Sequence, residues 1–169
     1  GEVHELAFVR AVDDGFVLAL ISADGENQQD IYTCADICRD PIWSADGGRI
    51  GLVDGQTLVV IAADTGDVEA RVAVDMGTYD YTARPDWTDD LSHVVDAARV
   101  DMVNVLRVVT IADGDVNTID HQSGGAPAWP RWTPDGHILY AGGGKVYITG
   151  DEADTPLTIT DSIYDWPVL

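Results

Sequence analysis

Four tryptophans recur in the same local setting, and their spacing constrains this chain more than any other feature. Pro41-Ile-Trp43-Ser-Ala-Asp46-Gly47 is followed by Pro85-Asp-Trp87-Thr-Asp-Asp90, by Pro130-Arg-Trp132-Thr-Pro-Asp135-Gly136, and by Tyr164-Asp-Trp166-Pro. The intervals between the tryptophans are 44, 45 and 34 residues. Counting on from Trp166 through the C-terminus to Trp43 gives 46. A period of this length is the mark of a repeat architecture, in which one small unit is built several times over.

Each of the first three tryptophan segments leads into an apolar strand, at Arg49–Val53, Ser92–Ala97 and His137–Ala141. A turn follows, then a longer strand: Thr57–Ala63, Val103–Ala112 or Lys145–Thr149. An Asp/Gly turn and a fourth strand close each unit, at Val68–Val74, Asp115–Asp120 and Pro156–Thr160. β-branched runs punctuated by Asp-Gly and Gly-Gly read as strand and turn, and no stretch sustains a capped 3.6-residue stripe. Four antiparallel strands per repeat describe a propeller blade. Leu6–Ala11, Phe16–Ser22 and Gln28–Thr33 supply a second, third and outer strand without an inner one, and Ile163–Leu169 offers the missing strand. The expectation is one all-β propeller domain over residues 1–169, of about four blades. Its units are 1–40 with 163–169, 41–75, 85–120 and 130–162.

The Pro-x-Trp-[Ser/Thr]-x-Asp-Gly unit, with its later Asp64-Thr65-Gly66 turn, resembles the WD40-like (PD40) repeat of TolB-type β-propellers. The likeness covers essentially the whole chain and is weakest at Asp89-Asp90, which stands where Asp-Gly is expected. An Asp-box places its tryptophan after the glycine, and eukaryotic WD40 blades end in Trp-Asp, so both fit less well. The resemblance implies a periplasmic or extracellular propeller that works by binding other proteins. It also implies kinship with the propellers that cap prolyl-oligopeptidase-like catalytic domains. Because such propellers usually have six blades, three arrangements stay open: a small closed ring, part of a larger propeller, or half of a ring shared between two copies.

Charge narrows the partners. Thirty acidic residues against nine basic ones give a formal charge of −21, which argues against nucleic acid and against anionic membrane surfaces. No apolar run is long enough to span a bilayer, so membrane insertion is not expected, and no signal peptide is recognisable. The acids are 25 Asp and 5 Glu, and the bases are 8 Arg and a single Lys, Lys145. Many of these aspartates sit beside turn glycines, where a short carboxylate binds local N–H groups. The scarcity of lysine points instead to a saline habitat, where screening relieves self-repulsion. A periplasmic or extracellular location is expected, with the cytoplasm of a halophile as the alternative.

No catalytic constellation emerges, so no enzyme activity, cofactor or metal is expected. His4, His93, His121 and His137 are scattered, and neither a zinc motif, a nucleophile elbow nor a P-loop is present. Asp24-x-Glu26-x-Gln28-x-Asp30 alternates oxygen ligands but lacks the glycine and distal glutamate of a calcium loop. Cys34 and Cys38 are too few for zinc and too widely spaced for a redox pair, which leaves a local disulfide or two free thiols. The repeat tryptophans are expected to pack between blades, with sugar stacking as the rival role.

In a propeller, loops joining an outer strand to the next inner strand open on one face. Here they are Thr33–Asp40, Asp75–Arg84, His121–Trp129 and Thr160–Ile163, and with their edges they carry Tyr79, Tyr81, Arg84, His121, Trp129 and Tyr164. Tyr, Trp and Arg dominate the centres of protein interfaces. Tyr79, Tyr81, Arg84, Trp129 and Tyr164 are therefore the expected contacts of a protein partner, a basic one given the acidic surround. The expected role is a non-enzymatic protein-interaction module. The rivals are the gating propeller of a hydrolase and a carbohydrate-binding propeller.

Overall fold

A computed structural model describes residues 6–75, 84–119, 125–149 and 155–157. Among these residues there are fifteen β-strands and no helix. The first sheet is β1 (Leu6–Val12), β2 (Gly15–Ile21) and β3 (Gln29–Thr33). The second is β4 (Cys38–Trp43), β5 (Arg49–Asp54), β6 (Thr57–Ala62) and β7 (Val68–Ala73). The third is β8 (Asp86–Trp87), β9 (His93–Val100), β10 (Val103–Thr110) and β11 (Val116–Ile119). The fourth is β12 (Ala128–Trp132), β13 (Ile138–Gly142), β14 (Lys145–Ile148) and β15 (Thr155–Leu157). Each sheet runs in sequence order, and in the three four-stranded sheets the tryptophan-bearing strand lies at one edge. The all-β, blade-by-blade expectation holds. The pairing of Ile163–Leu169 with the first sheet falls outside the described residues.

One turn repeats three times and accounts for the motif. Ser44 Oγ donates to Asp46 Oδ1 at 2.6 Å, and the same oxygen accepts from the Arg49 N–H at 2.9 Å. Thr88 and Asp90 repeat this with the N–H of His93, and Thr133 and Asp135 repeat it with that of His137. A hydroxyl three residues before the turn's end and a short carboxylate are both needed, which fixes Ser/Thr-x-Asp in the sequence. The next residue takes a left-handed backbone: φ is 70° at Gly47 and 85° at Gly136. In the third sheet Leu91 occupies that position with φ 57°, its side chain only 1% exposed. A leucine tolerates this strained geometry because its burial offsets the steric cost.

The chain divides into two compact units, and the division runs through the third sheet. The first comprises Gly1–Met76, Trp87–His93 and Thr110–Asp115; the second comprises Gly77–Asp86, Val94–Val109 and Val116–Leu169. Within the first, Leu18, Leu20 and Tyr32 of one sheet bury against Cys38, Ile50, Leu52, Val59 and Ile61 of the next, and Trp43 packs onto the same cluster. Alternation along each strand sends these side chains to one face, and burial of each is worth about 1.5–3 kcal/mol. Trp87 lies so close to β5 that a Cβ on Gly51 would sit 3.1 Å from its ring. These two repeat tryptophans are therefore packing residues between sheets.

Within the second unit, Ala97 and Leu106 of the third sheet pack against Tyr140 and Tyr147 of the fourth, whose rings stack with centroids 5.3 Å apart. Asp86 joins the inner strands of these sheets: Oδ2 accepts the Trp132 N–H at 2.7 Å and Oδ1 the Arg131 guanidinium at 3.1 Å. Asp96 and Arg107 form a buried ion pair across β9 and β10. Such a pair is satisfied as a unit, and removal of either member strands a charge.

Candidate binding face

Antiparallel order puts three features at one end of each four-stranded sheet. These are the loop leading into the inner strand, the hairpin between the second and third strands, and the end of the outer strand. The expected contact residues belong to this end.

In the second sheet the leading loop is held shut. Cys34 and Cys38 are joined by a disulfide, with their Cα atoms 5.8 Å apart. The buried carboxylate of Asp54 reaches up from the facing strand into the loop. Its Oδ2 accepts from Tyr32 Oη at 2.7 Å and the Ala35 N–H at 2.8 Å, and its Oδ1 accepts from the Asp36 N–H at 2.9 Å. Burial pushes this carboxyl's pKa up, but the three hydrogen bonds and the nearby Arg71 charge outweigh it, and the net shift is downward. Arg71 lies over the Tyr32 ring, with Cζ 5.4 Å from the centroid. Gly55 at the hairpin tip donates to the Ile37 carbonyl at 3.2 Å, closing loop onto tip.

The inner strand then bulges. Arg39 faces Val53 and Ile42 faces Gly51, so Asp40 and Pro41 together oppose Leu52 alone. The fourth sheet repeats this: Ala128 faces Ala141 and Arg131 faces Leu139, leaving Trp129 and Pro130 opposite Tyr140. Asp40 and Trp129 both take φ 51°, a rare geometry for a residue other than glycine. A bulge bends its strand and re-aims the side chain it displaces. The residue before the inner-strand proline is thus a distinct slot in the second and fourth sheets, filled by Asp40 and Trp129, and Arg84 holds the same sequence position in the third.

Two expected contact residues hold that sequence position, and one of them, Trp129, sits in a bulge. Arg84 is exposed at the start of the third sheet's inner strand. Trp129 lies within β12 rather than on the loop before it, and is half-buried. Tyr79, Tyr81 and Tyr164, together with His121, lie outside the described residues. The signal in the sequence is the residue just before Pro-x-Trp, in Asp40-Pro41, Arg84-Pro85 and Trp129-Pro130.

The third sheet's hairpin is longer than its counterparts. Its turn lies 14 and 15 residues after Trp87, against 12 and 13 after Trp43, so each strand gains two residues. The tip, Asp101-Met102, is left-handed at both positions, and Val100, Met102 and Val103 are exposed. The oxygen-rich Asp24–Asp30 stretch does not converge: Asp24 Oδ1 accepts from the Glu26 N–H at 2.9 Å, while Asp30 pairs with Arg10. Among the described residues no three His, Cys, Asp or Glu side chains gather as a metal site would require.

The fold defined by these sheets is a partial β-propeller. TolB from Acinetobacter baumannii is 19% identical, over 87% of this chain and 38% of its own, with a TM-score of 0.61. An uncharacterised protein of Listeria monocytogenes EGD-e is 14% identical over 91% of this chain and 50% of its own, at 0.67. Virginiamycin B lyase from Staphylococcus aureus is 14% identical over 90% of this chain and 55% of its own, at 0.57. Identities at this level carry the fold alone, and the chain spans 38% to 55% of the length of these structures. No family model and no curated protein matches the sequence.

Proposed function

We propose that this chain is a non-enzymatic protein-interaction module built on a TolB-like propeller. The observation that carries the reading is the repeated slot before the inner-strand proline. The bulge holds Trp129 at one end of its sheet through backbone geometry, and Arg84 stands exposed before the corresponding proline of the third sheet. Arg and Trp bury large area in interface centres at modest entropic cost. The net charge of −21 favours a basic partner by steering. The disulfide in the second sheet's leading loop supports a periplasmic or extracellular setting. A second reading, the accessory propeller of an enzyme, is favoured by the chain's spanning only 38% to 55% of the structures it resembles.

The test is affinity capture with purified wild-type protein and three variants, followed by binding measurements on whichever partner is recovered. Arg84→Ala and Trp129→Ala lose that partner with unchanged melting curves, while Glu69→Lys, on outer strand β7, retains it. Loss only with Glu69→Lys moves the interface to the blade edge and overturns the assignment. Retention by all three variants overturns it as well.

A further inference from the structure

The second and fourth sheets can be superposed residue by residue through their registers, and they treat the same space differently. Ala128, facing Ala141 in the fourth sheet, matches Arg39, facing Val53 in the second, so the positions of Cys38 and Asp54 fall to Pro127 and Gly142. In the second, the gap between leading loop and hairpin tip is filled by the Asp54 carboxylate, its three donors and the disulfide. In the fourth, Gly142 stands in the place of Asp54 and fills nothing, and the tip continues through Gly143 and Gly144. There Gly125 approaches the tip so closely that a Cβ on it would lie 3.2 Å from the Gly143 nitrogen. A cleft of about 180 Å³ remains, lined by Ala126, Ala128, Ala141, the tip glycines, Trp129 and Lys145.

The lining states what the cleft can hold. Three methyl groups and an indole make most of it apolar, and its volume is that of a single ring: a dry cavity of about 150 Å³ accommodates benzene. Lys145, the chain's single lysine, stands exposed at its edge, and none of the described lining residues is acidic. A cation would be repelled there and would find no counter-charge. An anion meets an ammonium beside a low-dielectric wall, where the attraction is stronger than in water. The bulge fixes the backbone of Trp129 in the left-handed region, so a ligand has less of the chain to order there.

We propose that this cleft binds a ring-sized apolar group bearing one carboxylate, its body against Trp129 and the alanine methyls and its charge on Lys145. Two sources present that chemistry, a free cyclic acid and an apolar residue at the C-terminus of a peptide. This inference goes beyond the protein-interaction reading and stands or falls separately, because small soluble probes test it.

Titration of the protein, followed by tryptophan fluorescence and by ligand-observed NMR, uses two matched pairs: cyclohexanecarboxylate with cyclohexanecarboxamide, and N-acetylphenylalanine with its amide. At least one acid is expected to bind at millimolar concentration or below, at least tenfold more tightly than its neutral partner. Cyclohexanecarboxylate alone identifies a free cyclic acid as the ligand, and N-acetylphenylalanine alone a peptide terminus. Lys145→Gln weakens that binding about tenfold, and Ala126→Leu, which fills the mouth from an exposed position, abolishes it. The proposal is overturned if neither acid binds, if acid and neutral forms bind alike, or if binding survives Ala126→Leu unchanged. The acid-to-neutral comparison is made on wild-type protein, so it holds even if a variant fails to fold.

Discussion

Leu91 is a single residue carrying two opposed terms. Its left-handed backbone costs about 1–2 kcal/mol, while its buried side chain repays about 2–3 kcal/mol. Leu91→Gly relieves the first and forfeits the second; Leu91→Ala forfeits the second and keeps the first. The expected order of melting temperature is Leu, then Gly, then Ala, with the alanine variant about 3 kcal/mol below wild type. An alanine variant more stable than the glycine variant would sink this account. Asp90, in the same turn, is held at a pKa of about 2 by the Ser92 hydroxyl, the Ser92 N–H and the Thr88 hydroxyl. A carboxyl depressed on folding stabilises above its unfolded pKa, about 3.9, and that contribution fades as pH falls through 2. The gap in stability between wild type and Asp90→Asn is therefore full above pH ~4 and closed near pH 2. Denaturant midpoints measured across that range check it.

Among the elements, the leading loop of the second sheet is fastened twice. A loop this short contributes about 2 kcal/mol through its disulfide by the chain-entropy argument. Asp54→Ala strands the Tyr32 hydroxyl and two backbone N–H groups in a largely buried site, at about 3 kcal/mol or more. The Cys34→Ser/Cys38→Ser double variant should accordingly melt higher than Asp54→Ala. The reverse order would make the disulfide the main fastening. The strands themselves were legible in the sequence, since alternation and Asp-Gly punctuation are local signals and placed β1, β5, β6 and β7 within a residue or two at each end. Asp54 was not legible: it reads as one more turn aspartate, and only the register with Cys38 reveals its role. The cleft beside Trp129 escaped for a related reason. It is made by residues too small to announce themselves, and it exists only by contrast with a filled site in another repeat.

For the whole molecule, the repeat period foretold the architecture because the same tryptophan-bearing inner strand opens each four-stranded sheet, and Trp43 and Trp87 pack it onto a neighbouring one. The charge tells a separate story. If a surplus of 21 negative charges is a burden relieved by salt, melting temperature rises between about 0.1 and about 2 M NaCl beyond a sucrose control of equal osmolarity. A flat response assigns the aspartates to turn chemistry, where Ser44–Asp46, Thr88–Asp90 and Thr133–Asp135 already employ three of them. The slot before the inner-strand proline has a further consequence. Three sheets carry one letter there, an acid, a base and an indole, and in the second and fourth a bulge presents it. Substitutions there leave the Ser/Thr-x-Asp turn and the buried tryptophan untouched. Such positions can drift blade by blade, so a lineage could acquire new tastes in partner without ever renegotiating its scaffold.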